Sequence, residues 1–537
     1  MSCDVIRSGS SPTMRHRNEH RQVADQRRVS RFRQTCRPGK NQRVRAACTT
    51  MTDLLPSPDL VRPPDADPVP APIRLFAASW ALVTILHLLG NADQVASATT
   101  FSGERIGQAI LALTAIGVLL RPSDLRRLIV LATAGVVTVW LEAPMLSNHW
   151  LVAGMVNLAI IGSALVVLRR HRRLDPAELW RLAAPTMRAS VLVFYACAAF
   201  AKLNKDFFDP AVSCGAEFFK ETSHSIGLGA LADAGGRSFL WAAILATAAI
   251  ELSVPLLLVV RRTRHAGVVV ALVFHFVVAL DQWHQFFDFS GLLMALYLLF
   301  LPAGFAAWLL LRIQRRPAAS AIRQLIVAVS AALLVLAFIP KPGILTTVFT
   351  GGREVLWLAL SLPLIVAVIM WLRRERPAPI RRPTLIPARV LWVIPALVLL
   401  NGLSPYLEVK SAFGFTMYSN LRIANGRTNH LVVRRTAPLS DVEADVVRIL
   451  DSSDSRLREY GRDGYGVTWR QLRAYAVVHH NVAIHYIRHG VDHDLARASD
   501  APDLVAPMSI VDRKVFVFRA IDLHGRERCQ ARWGVAR

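Results

Sequence analysis

The residues best placed to do chemistry gather at the end of an apolar run, in "VLVFYACAAFAKLNKDFFDPAVSCG", where Lys202, Asn204, Lys205 and Asp206 nearly adjoin. A lysine there either anchors a helix by reaching into headgroups or, desolvated, becomes a neutral amine able to take a proton. Two lysines, an amide and two carboxylates within "KLNKDFFDP" exceed what anchoring requires. Glu251 sits inside "LATAAIELSVPLLL", four residues before Pro255, which frees a backbone carbonyl near the same turn. His149 opens "SNHWLVAGMVN" and His275 lies inside "VVALVFHFVVAL". Polar groups in apolar runs are costly, so each asks for a reason. The plainer reasons are an interfacial lysine, an interhelical carboxyl and hydrogen-bonded histidines; the sharper one is a proton-transfer site.

Metal binding has one candidate, "AVVHHNVAIHYIRHGVDHD", which holds His479, His480, His485, His489 and His493. These spacings match no zinc signature and lack cysteine partners, so the stretch reads as a solvated surface and no metal is expected. The chain carries no Walker loop, dinucleotide fingerprint, G-x-S-x-G elbow or H-E-x-x-H.

The elements that must position these residues are apolar blocks. Of 537 residues, 53% are hydrophobic and the mean hydropathy is +0.36, which points to a polytopic membrane protein. Runs of near-spanning length fall at 74–90, 106–120, 128–146, 150–168, 187–203, 238–260, 265–280, 289–311, 322–339, 354–372 and 389–403. This predicts an all-α membrane bundle of about eleven spans, one or two of them broken or re-entrant. No internal repeat supports an inverted-repeat transporter.

The formal charge of +25 comes largely from the N-terminal tail and from clusters between apolar blocks. "RPSDLRR", "RRHRRLDPAELWR", "RRTRH", "RIQRRPAASAIR" and "RRERPAPIRRP" alternate with cation-poor links, a positive-inside pattern rather than a nucleic-acid stripe. The pattern predicts a plasma-membrane protein with a cytoplasmic N-terminus, and it puts Lys202 and everything after residue 403 outside the cytoplasm. Residues 1–73 read as a basic, then proline-rich tail, with Met51 as an alternative start. The spanning region divides into 74–311 and further helices over 312–403.

Residues 404–537 turn polar and predict a small α+β extracytoplasmic domain. Within it 430–435, 482–487 and 514–521 read as strands, and 439–450 and 469–478 as helices. Ser440 and Glu443 have the spacing of a capping box. Cys214 and Cys529 both fall outside, where they form either a disulfide or two separate thiols.

"FAKLNKDFFDPAVSCGAEFF", followed by "AAIELSVPLLLVVRRTRHAGVVVALVFHFVVAL", resembles the horizontally transferred transmembrane (HTTM) domain of vitamin K-dependent γ-carboxylase and its bacterial relatives. "SNHWLVAGMVNLA" is similar to the histidine-aromatic segment preceding the family's lysine, and "NGLSPYLEVKSAFGFTMYSNLRIANGRTNHLVV" to the junction into its outer domain. The resemblance covers about 74–311. It implies Lys202 as the base that deprotonates a reduced naphthoquinone, vitamin K hydroquinone or menaquinol, reaching it through the bilayer lipid. Oxygen and carbon dioxide are the implied co-substrates, and glutamate in a protein or peptide the acceptor. His149 would orient Lys202, Asn204 would bind a developing oxyanion, and Glu251 and His275 complete the implied set. The other function class is a non-catalytic or transport-related scaffold with an outer binding domain.

Overall fold

The computed structural model describes residues 69–92, 102–144, 146–282, 284–377 and 386–529. The basic tail and the Met51 start lie outside them. Pro68–Arg537 forms a single unit.

The helices, in chain order, are α1 (Ala71–Gly90), α2 (Gly103–Leu120), α3 (Leu125–Glu142), α4 (Asn148–His171) and α5 (Pro176–Ala201). Then come α6 (Cys214–Ser225), α7 (Gly229–Ala234), α8 (Gly236–Val259), α9 (Arg264–Val278) and α10 (Phe287–Tyr297). α11 (Ala303–Gln314), α12 (Ala319–Ala337), α13 (Ile344–Glu375) and α14 (Val393–Leu403) complete the bundle. Local chemistry sets several starts. Ser102, Asp124, Asp175 and Ser213 each accept a backbone N–H from the first turn of α2, α3, α5 and α6, and Pro176 opens α5 with its fixed φ.

Every apolar run of the sequence maps onto a helix or helix pair, yet among the described residues only seven helices are long and apolar enough to cross a membrane. The figure is eight if the pair around Leu301 and Pro302, bent by 115°, is one span. The expectation of about eleven falls short for identifiable reasons. α3 holds Arg126, Arg127 and Glu142 within 18 residues, α9 has 15 residues, and Arg389–Leu403 is also short. Lipid is the natural solvent for this surface, since α8 and α12 are strongly apolar but only 22% and 17% buried in their spanning windows. Their outward faces show Leu245, Leu256, Leu325 and Val335. Inside, polar groups pair across helices: Trp80 Nε1 donates to Asn157 Oδ1 at 2.9 Å and Gln108 Nε2 to Glu142 Oε1 at 2.8 Å.

After α14 the chain runs over the bundle through residues 404–430, turning in left-handed conformation at Glu408, Phe413, Phe415, Tyr418 and Asn420. It includes the hairpin β1 (Ile423–Ala424) and β2 (Arg427–Thr428). It then enters β3 (Val446–Ser452), α15 (Ser455–Arg462), β4 (Tyr465–Thr468), α16 (Trp469–Ala476), β5 (Ile484–Arg488), β6 (Val491–Leu495), α17 (Ile510–Lys514) and β7 (Ile521–Asp522). The antiparallel sheet has order β6-β5-β3-β4-β7, and Val447, Ile449, Leu457, Tyr475 and Ile484 fill its core.

The α+β character holds, and 469–478 and 482–487 fold largely as expected. Three local expectations do not. Residues 446–450, expected to be helical, lie in β3, because Val447 and Ile449 alternate inward while Arg448 faces out. Residues 430–435 make isolated bridges instead of a strand, and most of 514–521 is irregular. Ser440 caps no helix; its hydroxyl donates to Glu408 O at 2.7 Å.

Candidate functional site

α5 ends where Asn204 takes over its carbonyls. The Asn204 amide donates to Ala201 O and Ser419 O, and its Oδ1 accepts Phe207 N–H at 2.8 Å. This fully buried side chain therefore fixes the turn and ties it to the 404–430 segment. Both its N–H groups are committed to backbone carbonyls and it lies outside the cavity lining, so it is a positioning residue rather than an oxyanion donor. The helix thereby delivers Lys202 inward, 6% exposed, with Nζ 2.8 Å from Glu251 Oε2 and donating to Met417 O at 3.1 Å. Glu251 comes from the middle of α8, one turn before Pro255. The other charges of the motif point elsewhere. Lys205 is exposed, whereas Asp206 accepts Asn429 Nδ2 and Glu527 N–H at 2.7 and 2.8 Å.

The ion pair lies in the wall of a cavity of about 660 Å³ bounded by α5, α6, α8, α9 and the 404–430 segment. Phe194, Phe218, Ile250, Phe274 and Phe289 make most of that wall apolar. His275 joins Lys202 and Glu251 there, 2% exposed, with Nε2 3.3 Å from Tyr195 Oη. Its Nδ1 has no hydrogen-bond partner among the described residues. Ile226, Leu228 and Phe239 line the cavity and are also exposed, which marks an apolar mouth between α6, α7 and α8. Such a chamber keeps water from the lysine, strengthens the ion pair and accepts a lipophilic ring better than a hydrated ion.

His149 is not in this lining. Its Nε2 lies 2.9 Å from Asp288 Oδ2 at the head of a second pocket of about 300 Å³, which also holds Asn91 and Arg519. The expectation that His149 orients Lys202 is thereby corrected, because Asp288 supplies a nearer partner. Asp288 also lies 3.3 Å from His87 Nδ1. The two spaces share Phe286, Phe289, Met417 and Tyr418 as a dividing wall. Burial pushes the Tyr418 hydroxyl up to about 12, so the wall stays uncharged at neutral pH.

Sequence reasoning missed Asp288, His87 and the Met417 carbonyl. A lone carboxylate in "FFDFSGLLMALYLL" and a lone imidazole in "TILHLLGN" carried the signal that singled out Glu251 and His275. Cys214 and Cys529 form a disulfide that ties the start of α6 to the end of the sheet domain. The C-terminal histidines disperse. His485 pairs with Asp492, His489 with Asp445, and His493 stacks on Tyr486.

Comparison with protein-family models, with curated proteins and with solved structures finds no match to this chain.

Proposed function

We propose that this chain is a multi-pass membrane enzyme that takes a proton from a lipid-soluble reduced quinone, with Lys202 as the base. The observation that carries the reading is the Lys202–Glu251 ion pair in the wall of an otherwise mainly apolar cavity of about 660 Å³. The residues fit such a ligand: aromatic and aliphatic side chains suit a fused ring and its apolar tail, and the mouth opens through exposed apolar residues.

Glu251, 2.8 Å from Nζ, is placed to receive a proton handed on by the lysine, so that proton transfer from the ligand need export no charge from the cavity. The Met417 carbonyl holds Nζ in place, and His275 with Tyr195 offers a hydrogen-bonding pair on the same lining. When bound, the reduced quinone would supply the reducing power for reaction with oxygen, coupled in the γ-carboxylase resemblance to carbon dioxide addition at a glutamate. The proposed membrane placement has the basic links cytoplasmic and Lys202, with residues 404–537, on the outer face. The Cys214–Cys529 disulfide supports it, since disulfides persist in oxidising compartments.

A second reading is favoured by the same lysine's contacts, which join α5, α8 and the 404–430 segment as a clamp would. The two separate in purified protein in lipid, supplied with reduced menaquinone or vitamin K, by following oxygen-dependent epoxide formation. The enzyme reading expects turnover that falls by a factor of about 100 or more in Lys202→Ala and stays low in Lys202→Arg. A folded, quinol-saturated wild type that forms no epoxide would leave the clamp.

A further inference from the structure

Outside the lysine cavity, three side chains from three helices converge. His87 near the end of α1, His149 at the start of α4 and Asp288 in the first turn of α10 present Nδ1, Nε2 and Oδ2, all within 4.8 Å of one another. His87 Nδ1 lies 3.3 Å and His149 Nε2 2.9 Å from the same carboxylate oxygen. Two donors, each about 2.0–2.1 Å from a shared ion, stand about 2.8–3.0 Å apart at a right angle and about 3.3–3.4 Å apart at the tetrahedral angle. Both observed edges match that range. We propose that His87, His149 and Asp288 bind one divalent first-row transition-metal ion.

The ligands are held as a built site requires. The His87 ring stacks on Trp150 with centroids 3.6 Å apart, which fixes its plane. The second Asp288 oxygen accepts the Phe289 backbone N–H, which leaves Oδ2 for the imidazoles. Two imidazoles and one carboxylate select zinc, iron or cobalt over calcium or magnesium, which prefer all-oxygen shells. With only three protein ligands, two of which, His149 and Asp288, line a pocket of about 300 Å³, the ion keeps open positions, the pattern of a ligand-binding centre rather than a closed structural one. Glu221, Asp281 and His284 form a second convergent group, but it brings one imidazole and two carboxylates, with His284 on a partly exposed link, where the first brings two imidazoles from a buried cluster. The metal site stands on its own geometry and does not depend on the quinol reading.

The test uses the full chain in lipid nanodiscs, without a polyhistidine tag, stripped with chelator and titrated with cobalt(II). Expected are visible d–d absorption saturating at about one ion per chain, displaced by zinc, and affinity at least tenfold weaker in Asp288→Asn and His87→Ala. The double variant His485→Ala/His489→Ala, in the C-terminal histidine-rich stretch, should bind as the wild type does. His149→Cys should add a near-ultraviolet thiolate-to-cobalt charge-transfer band, a readout that does not rely on loss of binding. A helical wild type that takes up no stoichiometric cobalt overturns the proposal, and so does a double variant that loses as much as Asp288→Asn. In that event Asp288 would be a plain acceptor for two imidazole N–H groups.

Discussion

Two pockets meet at one wall of Phe286, Phe289, Met417 and Tyr418, and they handle charge in opposite ways. On the cavity side a single lysine and a single carboxylate face each other among aromatic rings, so each is the other's main counter-charge. On the polar side Asp288 has two imidazoles, with Asn91 and Arg519 on the same lining. Similar residue types thus sit in two different solvents a wall apart. In the low-dielectric chamber the loss of one partner strands a buried charge, whereas the polar pocket has spare groups to compensate.

The largest expected effect breaks the comparison on the cavity side. Glu251→Leu leaves Lys202 without its carboxylate and should cost about 3–5 kcal/mol of stability. Lys202→Met combined with Glu251→Leu removes both charges and should cost markedly less, giving a strong favourable coupling in a double-mutant cycle of thermal unfolding in detergent. Additive costs would mean that water reaches the pair and that the chamber is not the low-dielectric space described. On the polar side, His149→Gln keeps a hydrogen-bonding group near Asp288 and should cost only about 1 kcal/mol. A penalty as large as that of Glu251→Leu would erase the contrast.

The wall can be opened directly. Phe289 contributes to both linings, so Phe289→Ala should join the two spaces and admit water to the lysine. Binding of a fluorescent naphthoquinone analogue should weaken about tenfold, the loss of roughly 1.4 kcal/mol of apolar contact. Unchanged binding would place the ligand away from the wall, deeper toward Phe194 and Phe274.

How much of this was legible in the sequence depends on the link concerned. Lys202, Glu251 and His275 stood out because polar groups interrupt apolar runs, and all three line one cavity. Their pairing was not legible, since hydrophobic periodicity reports how residues share a face of one helix and says nothing about the facing of α5 against α8. His149 was visible as a residue but was given the wrong partner, because Asp288 lies on α10, remote in sequence. Asn204 was visible as a carboxamide, but its task is set by backbone carbonyls at Ala201 and Ser419 that no composition reveals. In the sheet domain "VEADVVRIL" looked helical because Glu443 and the three valines can fit either period. Pairing with β4 and β5 decides for the strand, a tertiary override of local preference.

The most indirect effect acts on what both pockets share, the 404–430 segment that supplies Met417 and Tyr418 to their common wall. Beneath it lie Glu443 and Glu527, buried carboxyls that burial pushes up to about 8 and about 7. Glu527 is tied in through its backbone, whose N–H donates to Asp206 and whose carbonyl accepts from Asn420. An acid with a raised folded pKa keeps its proton in the folded chain while the unfolded chain has lost it. Stability is therefore full below the ordinary carboxylate value near 4.5 and declines as pH rises toward 8, by about 1.4 kcal/mol per pH unit and per proton at most. Lys410, lowered to about 8 by burial, runs the other way: stability rises between 8 and its ordinary value of 10.5. Protease resistance of residues 404–529 should pass through a minimum near pH 8, and Glu443→Gln should flatten its acid side. Since the wall rests on this segment, analogue binding and cobalt binding should weaken together over that range. If only one of them weakened, the two pockets would not share the support that their common wall implies.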